Sequence, residues 1–269
     1  MKLLLLCLNA FETLEFSPFI DVFGWARDDF GCDINVDICG FHKNIKSTFH
    51  VSINADILID QVNVEEYDAL AIPGGFEEYG FYEEAYDEKT LALIRSFHRL
   101  HKPIAAVCVA AFPLAKSGIL QGKKATTYHL RGGYKRDELS ELGVLLGEQW
   151  LVEDGNIITS SCPKTGADVA FRLLEKLTSK EKMEQVKEAM GFLEREYKYV
   201  KTGPDNGWSM GINLYAKCPI CGYFMPLDPT KSDSCPCGNM YKDSDYGRFG
   251  AETGDMSIEI YEKINKENQ

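Results

Sequence analysis

The chain has 269 residues, 45% hydrophobic and 26% charged, a globular composition that excludes a disordered polymer. Its 29 Lys and Arg against 41 Asp and Glu give a net charge of −12. With no basic block, such a chain is poorly suited to gripping a phosphate backbone, and no stretch approaches the roughly 18 apolar residues of a membrane span. A small-molecule substrate is therefore expected, with no nucleic-acid or membrane partner.

The apolar run Lys2–Leu8 ends without a small-residue cleavage site, and Glu12 and Glu15 follow it. It reads as a buried first strand rather than a signal peptide, so a cytoplasmic protein is expected. Ser17–Arg27 has helical spacing with Pro18 in a first turn, and Asp33–Cys39 is the second strand. His50–Ile53 and Asp56–Ile59 read as short strands of a small ribbon. Ala69–Ile72 is a third buried strand ending in Pro73-Gly74-Gly75, Glu84–Leu100 is helical, and Ile104–Val107 is a fourth strand. Val109–Ser117 reads as a helix closed by Gly118. Lys124–Thr127 and Val144–Leu146 are strands, and Trp150–Val152 and Asn156–Ser160 flank the hairpin signal Asp154-Gly155. Lys164–Leu177 is a helix. Strands alternating with helices predict a doubly wound α/β domain with a mostly parallel, flavodoxin-like sheet over residues 1–178.

Residues 179–206 follow as an amphipathic helix, Lys180–Val200, whose apolar members include Met183, Val186 and Leu193, and a linker at Thr202–Asn206. Residues 207–269 differ in kind, being rich in Gly, Pro, Cys, Asp and Tyr.

Chemistry concentrates at Cys108. An apolar strand runs into this thiol and a helix leaves directly after it, the sharp turn called a nucleophile elbow when the residue is Ser. Free amides at a helix start favour a thiolate and depress its pKa. Position alone leaves a second reading open, a small buried core residue. Cys7, Cys32, Cys39 and Cys162 lack this setting and read as core, although Cys162, in Ser-Ser-Cys-Pro at a strand end, could face the same cleft. The paired glycines after the third strand allow close backbone approach, so the Gly75 and Val109 amides are candidates for an oxyanion hole.

Together, Glu15 in ETLEFSPFIDVF, AIPGGF, AAVCVAAFPLAKSGIL, KKATTYHL and DGNIITSSCP resemble, in order and spacing, the ThiJ/PfpI family of the class I glutamine amidotransferase-like fold. The resemblance covers residues 1–178. It implies that Cys108 is the nucleophile and that Glu15 sets a protonated carboxyl against its sulfur. It also implies that His129 supplies a nearby imidazole that shuttles protons, with no cofactor needed for catalysis and a homodimeric assembly expected. The glyoxalase-like or deglycase-like and amidase-like or hydratase-like members point to a small carbonyl or acyl-type substrate. The alternatives are a redox or stress-responsive cysteine sensor and a non-catalytic binding protein. The chain departs from the peptidase-like and glyoxalase-like branches in carrying Val109, not His, directly after the cysteine.

Near the C-terminus Cys218, Cys221, Cys235 and Cys237 form a C-x2-C-x13-C-x-C array. Each pair turns at Pro and closes on Gly222 or Gly238, and four thiolates are a ligand set for structural zinc. A zinc-ribbon-like segment is expected, with rubredoxin-like iron as the alternative. The second pair is tighter than the common two-residue spacing.

Overall fold

The computed structural model describes residues 1–130, 132–192, 196–200, 210–245, 248–254 and 258–264. The chain divides into two compact units, Met1–Phe192 and Leu193–Gln269.

The first unit is built on β1 (Lys2–Leu6), β2 (Asn35–Gly40), β3 (Asn44–Lys46), β4 (Ser52–Asn54), β5 (Ile57–Leu58), β6 (Ala69–Ile72), β7 (Ile104–Ala106), β8 (Lys124–Ala125), β9 (Leu145–Leu146), β10 (Leu151–Asp154) and β11 (Ile157–Ser160). Seven of these form a sheet in the order β10-β11-β7-β6-β1-β2-β5. All its pairings are parallel except β10 with β11, which the Asp154-Gly155 turn joins as a hairpin. The continuous apolar reading of β1 and β6 is explained by burial on both faces, with Leu3–Leu6 and Ala69–Ile72 all at 0% exposure.

The helices are α1 (Thr13–Asp28), α2 (Phe81–Ala85), α3 (Glu88–Arg99), α4 (Ala111–Lys116), α5 (Tyr134–Glu141), α6 (Gly166–Leu177) and α7 (Lys180–Ala189). α1 packs with α6 and α7, and α3 packs with α4. Helix α1 begins four residues earlier than its spacing suggested, because the Glu12 carboxylate accepts from the Leu14 amide and caps the new start. That extra turn carries Glu15 into the core.

The expected ribbon is rearranged. β4 pairs antiparallel with β3, a strand not anticipated, while β5 joins the main sheet beside β2. The expected helix Lys180–Val200 is also corrected. It stops at Ala189, and Glu196–Val200 is a strand (β12) of the second unit. Met190 caps α7 and Gly191 takes a left-handed φ of 78°, which ends the helix. Leu193 and the linker Thr202–Asn206 lie outside the described residues.

The second unit continues with β13 (Leu214–Lys217), β14 (Phe224–Pro226), β15 (Asp233–Ser234), β16 (Met240–Asp243), β17 (Arg248–Ala251) and β18 (Glu259–Ile264). Its two antiparallel sheets run β12-β18-β13-β14 and β15-β16-β17. The core is small and includes two of the cysteines: Ala216, Cys218, Met225, Leu227, Cys235, Met240, Ile258 and Ile260. Among the described residues no helix is long and apolar enough to cross a membrane.

Candidate active site and candidate metal centre

Four segments meet at the carboxyl ends of the parallel strands: the turn after β1 with the start of α1, the glycines after β6, the elbow after β7 and the turn after β11. In open α/β sheets this edge is where ligands bind.

Cys108 has φ 57°, a left-handed conformation costing a non-glycine residue about 1–2 kcal/mol. Neighbours hold the strain. The Val107 amide donates to Ile72 O at 3.1 Å, and Thr127 Oγ1 donates to Cys108 O at 3.0 Å. A 3-10 turn, Cys108–Ala110, then leads into the short helix α4. The Val109 amide donates to the Cys108 sulfur.

Glu15 faces this thiol. It is fully buried, and its Oε2 accepts from the Gly74 amide at 2.6 Å. Burial raises its carboxyl to about 8, against the lowering effect of hydrogen bonds from Gly74 and Cys108, so it is mostly protonated at neutral pH. Its Oε1 is buried without a hydrogen-bond partner among the described residues, so contact with Cys108 falls short of a well-formed hydrogen bond. The thiol shifts opposite to the expectation from the helix start. Burial pushes it up first, and an ionised Glu15 would push it further, with only the Val109 amide favouring the anion. The two groups therefore titrate as a pair. Protonation of Glu15 removes its repulsion and leaves an O–H able to support the sulfur.

Both glycines after β6 are required by space. A Cβ on Gly74 would stand 2.7 Å from Val107 O and 2.8 Å from Glu15 Oε2, and one on Gly75 would collide with Ala10 O and the Phe81 ring.

Glu15, Gly75, Cys108 and Val109 line one cavity of about 280 Å³. Cys162, read from sequence as core, lines it too and is 3% exposed. Phe76, Tyr82, Tyr128 and Tyr134 give the cavity aromatic walls, and Lys135 adds an ammonium held at 3.0 Å by both Glu77 and Glu138. Tyr134 and Lys135 were missed in the sequence because α5 buries only Leu139 and Lys135 and shows no apolar stripe. The break at Gly132-Gly133 was the available signal for its start. His129 is not brought into the cavity. Tyr128 and Leu130 line it, while the His129 ring packs on Trp150 at 4.9 Å between centroids.

In the second unit the four cysteine sulfurs lie within 4.8 Å of one another. Cys235 is 3.4 Å from Cys237 and 3.7 Å from Cys218, and Cys218 is 3.6 Å from Cys237, far longer than a disulfide. A tetrahedron with metal–sulfur bonds near 2.3 Å has edges of about 3.8 Å, so the sulfurs stand close to ligand positions. The tight Cys235-Pro236-Cys237 bite does not prevent this. The turns close as expected, with Gly222 at φ 73° and Gly238 at φ 74°. The Met240 amide donates to Cys235 Sγ at 3.1 Å. Burial opposes ionisation of Cys218, but amides of Cys221 and Ile220 outweigh it and hold that thiol low, while the neighbouring cysteines outweigh the Asn239 amide and push Cys237 up, so the sulfurs titrate together. Such a donor set suits thiolates.

Comparison with known proteins bears on the first unit. Residues 1–176 match the DJ-1/PfpI family. The chain is 27% identical over 179 residues to Protein DJ-1 homolog A of Arabidopsis thaliana, a match covering 66% of this chain but 43% of that protein. It is 31% identical over 164 residues to Deglycase PfpI of Pyrococcus furiosus, covering 61% of this chain and 91% of that one. Among solved structures, Drosophila melanogaster DJ-1beta superposes with a TM-score of 0.63 at 27% identity, covering 72% of this chain and 98% of that chain.

Proposed function

Since the chain belongs to the DJ-1/PfpI family, we propose that it uses Cys108 as a nucleophile on a small substrate with a carbonyl or acyl-type carbon. One observation carries the reading: a thiol held at φ 57° opens into a cavity beside a buried carboxyl raised to about 8. The Cys108 thiolate forms a carbon–sulfur bond, and the carbonyl electron pair moves onto oxygen. The Val109 and Gly75 amides hold that oxyanion. Glu15, protonated at rest, supports the sulfur and delivers or takes up the proton, a part that the sequence had offered to either His129 or Glu15. A 31% identical relative is named a deglycase, which favours aldehyde or glycated substrates over an amidase-like or hydratase-like reaction. The test is a substrate screen that includes methylglyoxal, run beside Cys108→Ala. Turnover lost in the variant supports the reading, and equal turnover in both proteins rejects it.

A redox-responsive thiol is the second reading, favoured by the presence of Cys162 in the same cavity. For the second unit we propose one structural zinc bound by Cys218, Cys221, Cys235 and Cys237, supported by the sulfur spacing and the amide donors. When bound, the metal supplies folding energy to a unit with few core residues of its own.

A further inference from the structure

We infer that Cys162 is a second redox-active thiol of the site, resolving oxidised Cys108 into a Cys108–Cys162 disulfide and so giving the chain a thiol-dependent peroxide reductase activity. The inference rests on the reading of Cys108 as the nucleophile.

Sheet topology brings the two residues together. β7 and β11 are adjacent parallel strands, with Ala105 opposite Ile158 and Ala106 opposite Thr159. Cys108 follows the last residue of β7 by two positions and Cys162 follows the last residue of β11 by two, so the two thiols leave the same end of neighbouring strands. Adjacent strands run about 4.8 Å apart, within the roughly 4.4–6.8 Å Cα separation that a disulfide spans. Both residues stand past their strand ends, held by turn hydrogen bonds from Thr127 and Thr165 rather than by the ladder. Both line the same cavity, and a charge on Cys162 acts on the Cys108 thiol.

Another pair shows why the cavity matters. Cys39 lies on β2 and Cys7 directly follows the neighbouring parallel strand β1, and the Cys7 amide donates to Cys39 O at 2.8 Å. Both are at 0% exposure, and neither lines the cavity that Cys108 and Cys162 share. The shared cavity gives a small oxidant a route to Cys108 and Cys162 that the fully buried pair lacks.

The chemistry balances with a hydroperoxide as oxidant. The Cys108 thiolate attacks the peroxide, a sulfur–oxygen bond forms and the oxygen–oxygen bond breaks. The leaving oxygen takes a proton and departs as water or an alcohol, leaving a sulfenic acid. The Cys162 thiolate then attacks the Cys108 sulfur. The sulfur–sulfur bond forms, the sulfur–oxygen bond breaks, and the oxygen leaves with a proton as water. An external dithiol reduces the disulfide and is itself oxidised.

The test treats the full chain with stoichiometric hydrogen peroxide, with and without dimedone, blocks free thiols and maps unreduced peptides by mass. Wild type should give a Cys108–Cys162 cross-link. Cys162→Ser and Cys162→Ala should lack it and accumulate several-fold more dimedone adduct or sulfinic acid at Cys108. Equal Cys108 adduct in wild type and both variants, with no cross-link, overturns the resolving role while leaving Cys108 as the nucleophile. No oxidation at Cys108 in any of the proteins overturns both.

Discussion

The Gly74 amide donates to Glu15 Oε2 at 2.6 Å, and the same glycine has no room for a side chain between that carboxyl and the Val107 carbonyl. One backbone position therefore both positions the buried acid and lets β6 approach the elbow. Gly74→Ala should cost about 1–3 kcal/mol, the usual range for overpacking. Chemical denaturation measures the loss, and a stability within 0.5 kcal/mol of wild type, roughly the scatter of neutral surface substitutions, would mean that the close approach is not maintained in solution.

Glu15 also makes stability depend on pH. Its carboxyl is near 4.5 in an unfolded chain and is raised to about 8 here, so between these values the folded state holds a proton that the unfolded state has lost. The contribution is complete below about 4.5, declines as pH rises and is gone above about 8, with a slope approaching about 1.4 kcal/mol per pH unit in between. Glu15→Gln should flatten this decline. Denaturation midpoints across pH 5 to 8, a window set by the same two values, provide the check, and parallel curves for the two proteins would contradict the burial of a protonated acid.

The same carboxyl bears on the thiol. Glu15→Gln keeps a hydrogen-bond donor beside the sulfur, whereas Glu15→Leu keeps none, so the Leu variant should raise the Cys108 pKa more. Thiol titration by rate of alkylation measures it. Superimposable titrations for both variants and wild type would remove Glu15 from the site.

His129 gives a contrasting expectation. Its ring packs at a tilt of 57° against Trp150 and does not line the cavity. His129→Ala should change the alkylation rate of Cys108 less than about threefold, a barrier change of under about 0.7 kcal/mol. A loss of a hundredfold would restore the proton-shuttle role that the sequence suggested.

Much of this was visible in the sequence, and the exceptions have physical causes. The parallel strands announced themselves as apolar runs because both faces are covered, and the elbow as a strand running into a cysteine with a helix directly behind it. Helix α5 did not, since Tyr134–Glu141 is mostly polar and is held by the Lys135 ion pairs rather than by an apolar stripe. Glu15 looked like a solvated first-turn residue without the family resemblance, because its partner Gly74, in the turn after β6, is 59 residues away. The strand Glu196–Val200 was read as helix because charged residues interleaved with Tyr and Val suit either period. Its pairing with Ile260–Ile264 settles it as strand.

Chelation should separate the two units. Freshly prepared, reduced protein is expected to hold close to one zinc per chain, and removing it should abolish amide protection in residues 210–264, whose few core positions include two of the ligands. Protection in residues 1–178 should persist, since that core contains none of the four. Absence of metal in reduced protein, or unchanged protection on chelation, would contradict the structural site.

The account turns on Cys108 being the working thiol, and competitive alkylation tests this most directly. Limiting iodoacetamide at neutral pH, applied to the metal-loaded protein and mapped by mass, should label Cys108 ahead of Cys7, Cys32, Cys39 and Cys162. Preferential labelling of any of those four, with Cys108 left unmodified, would contradict it.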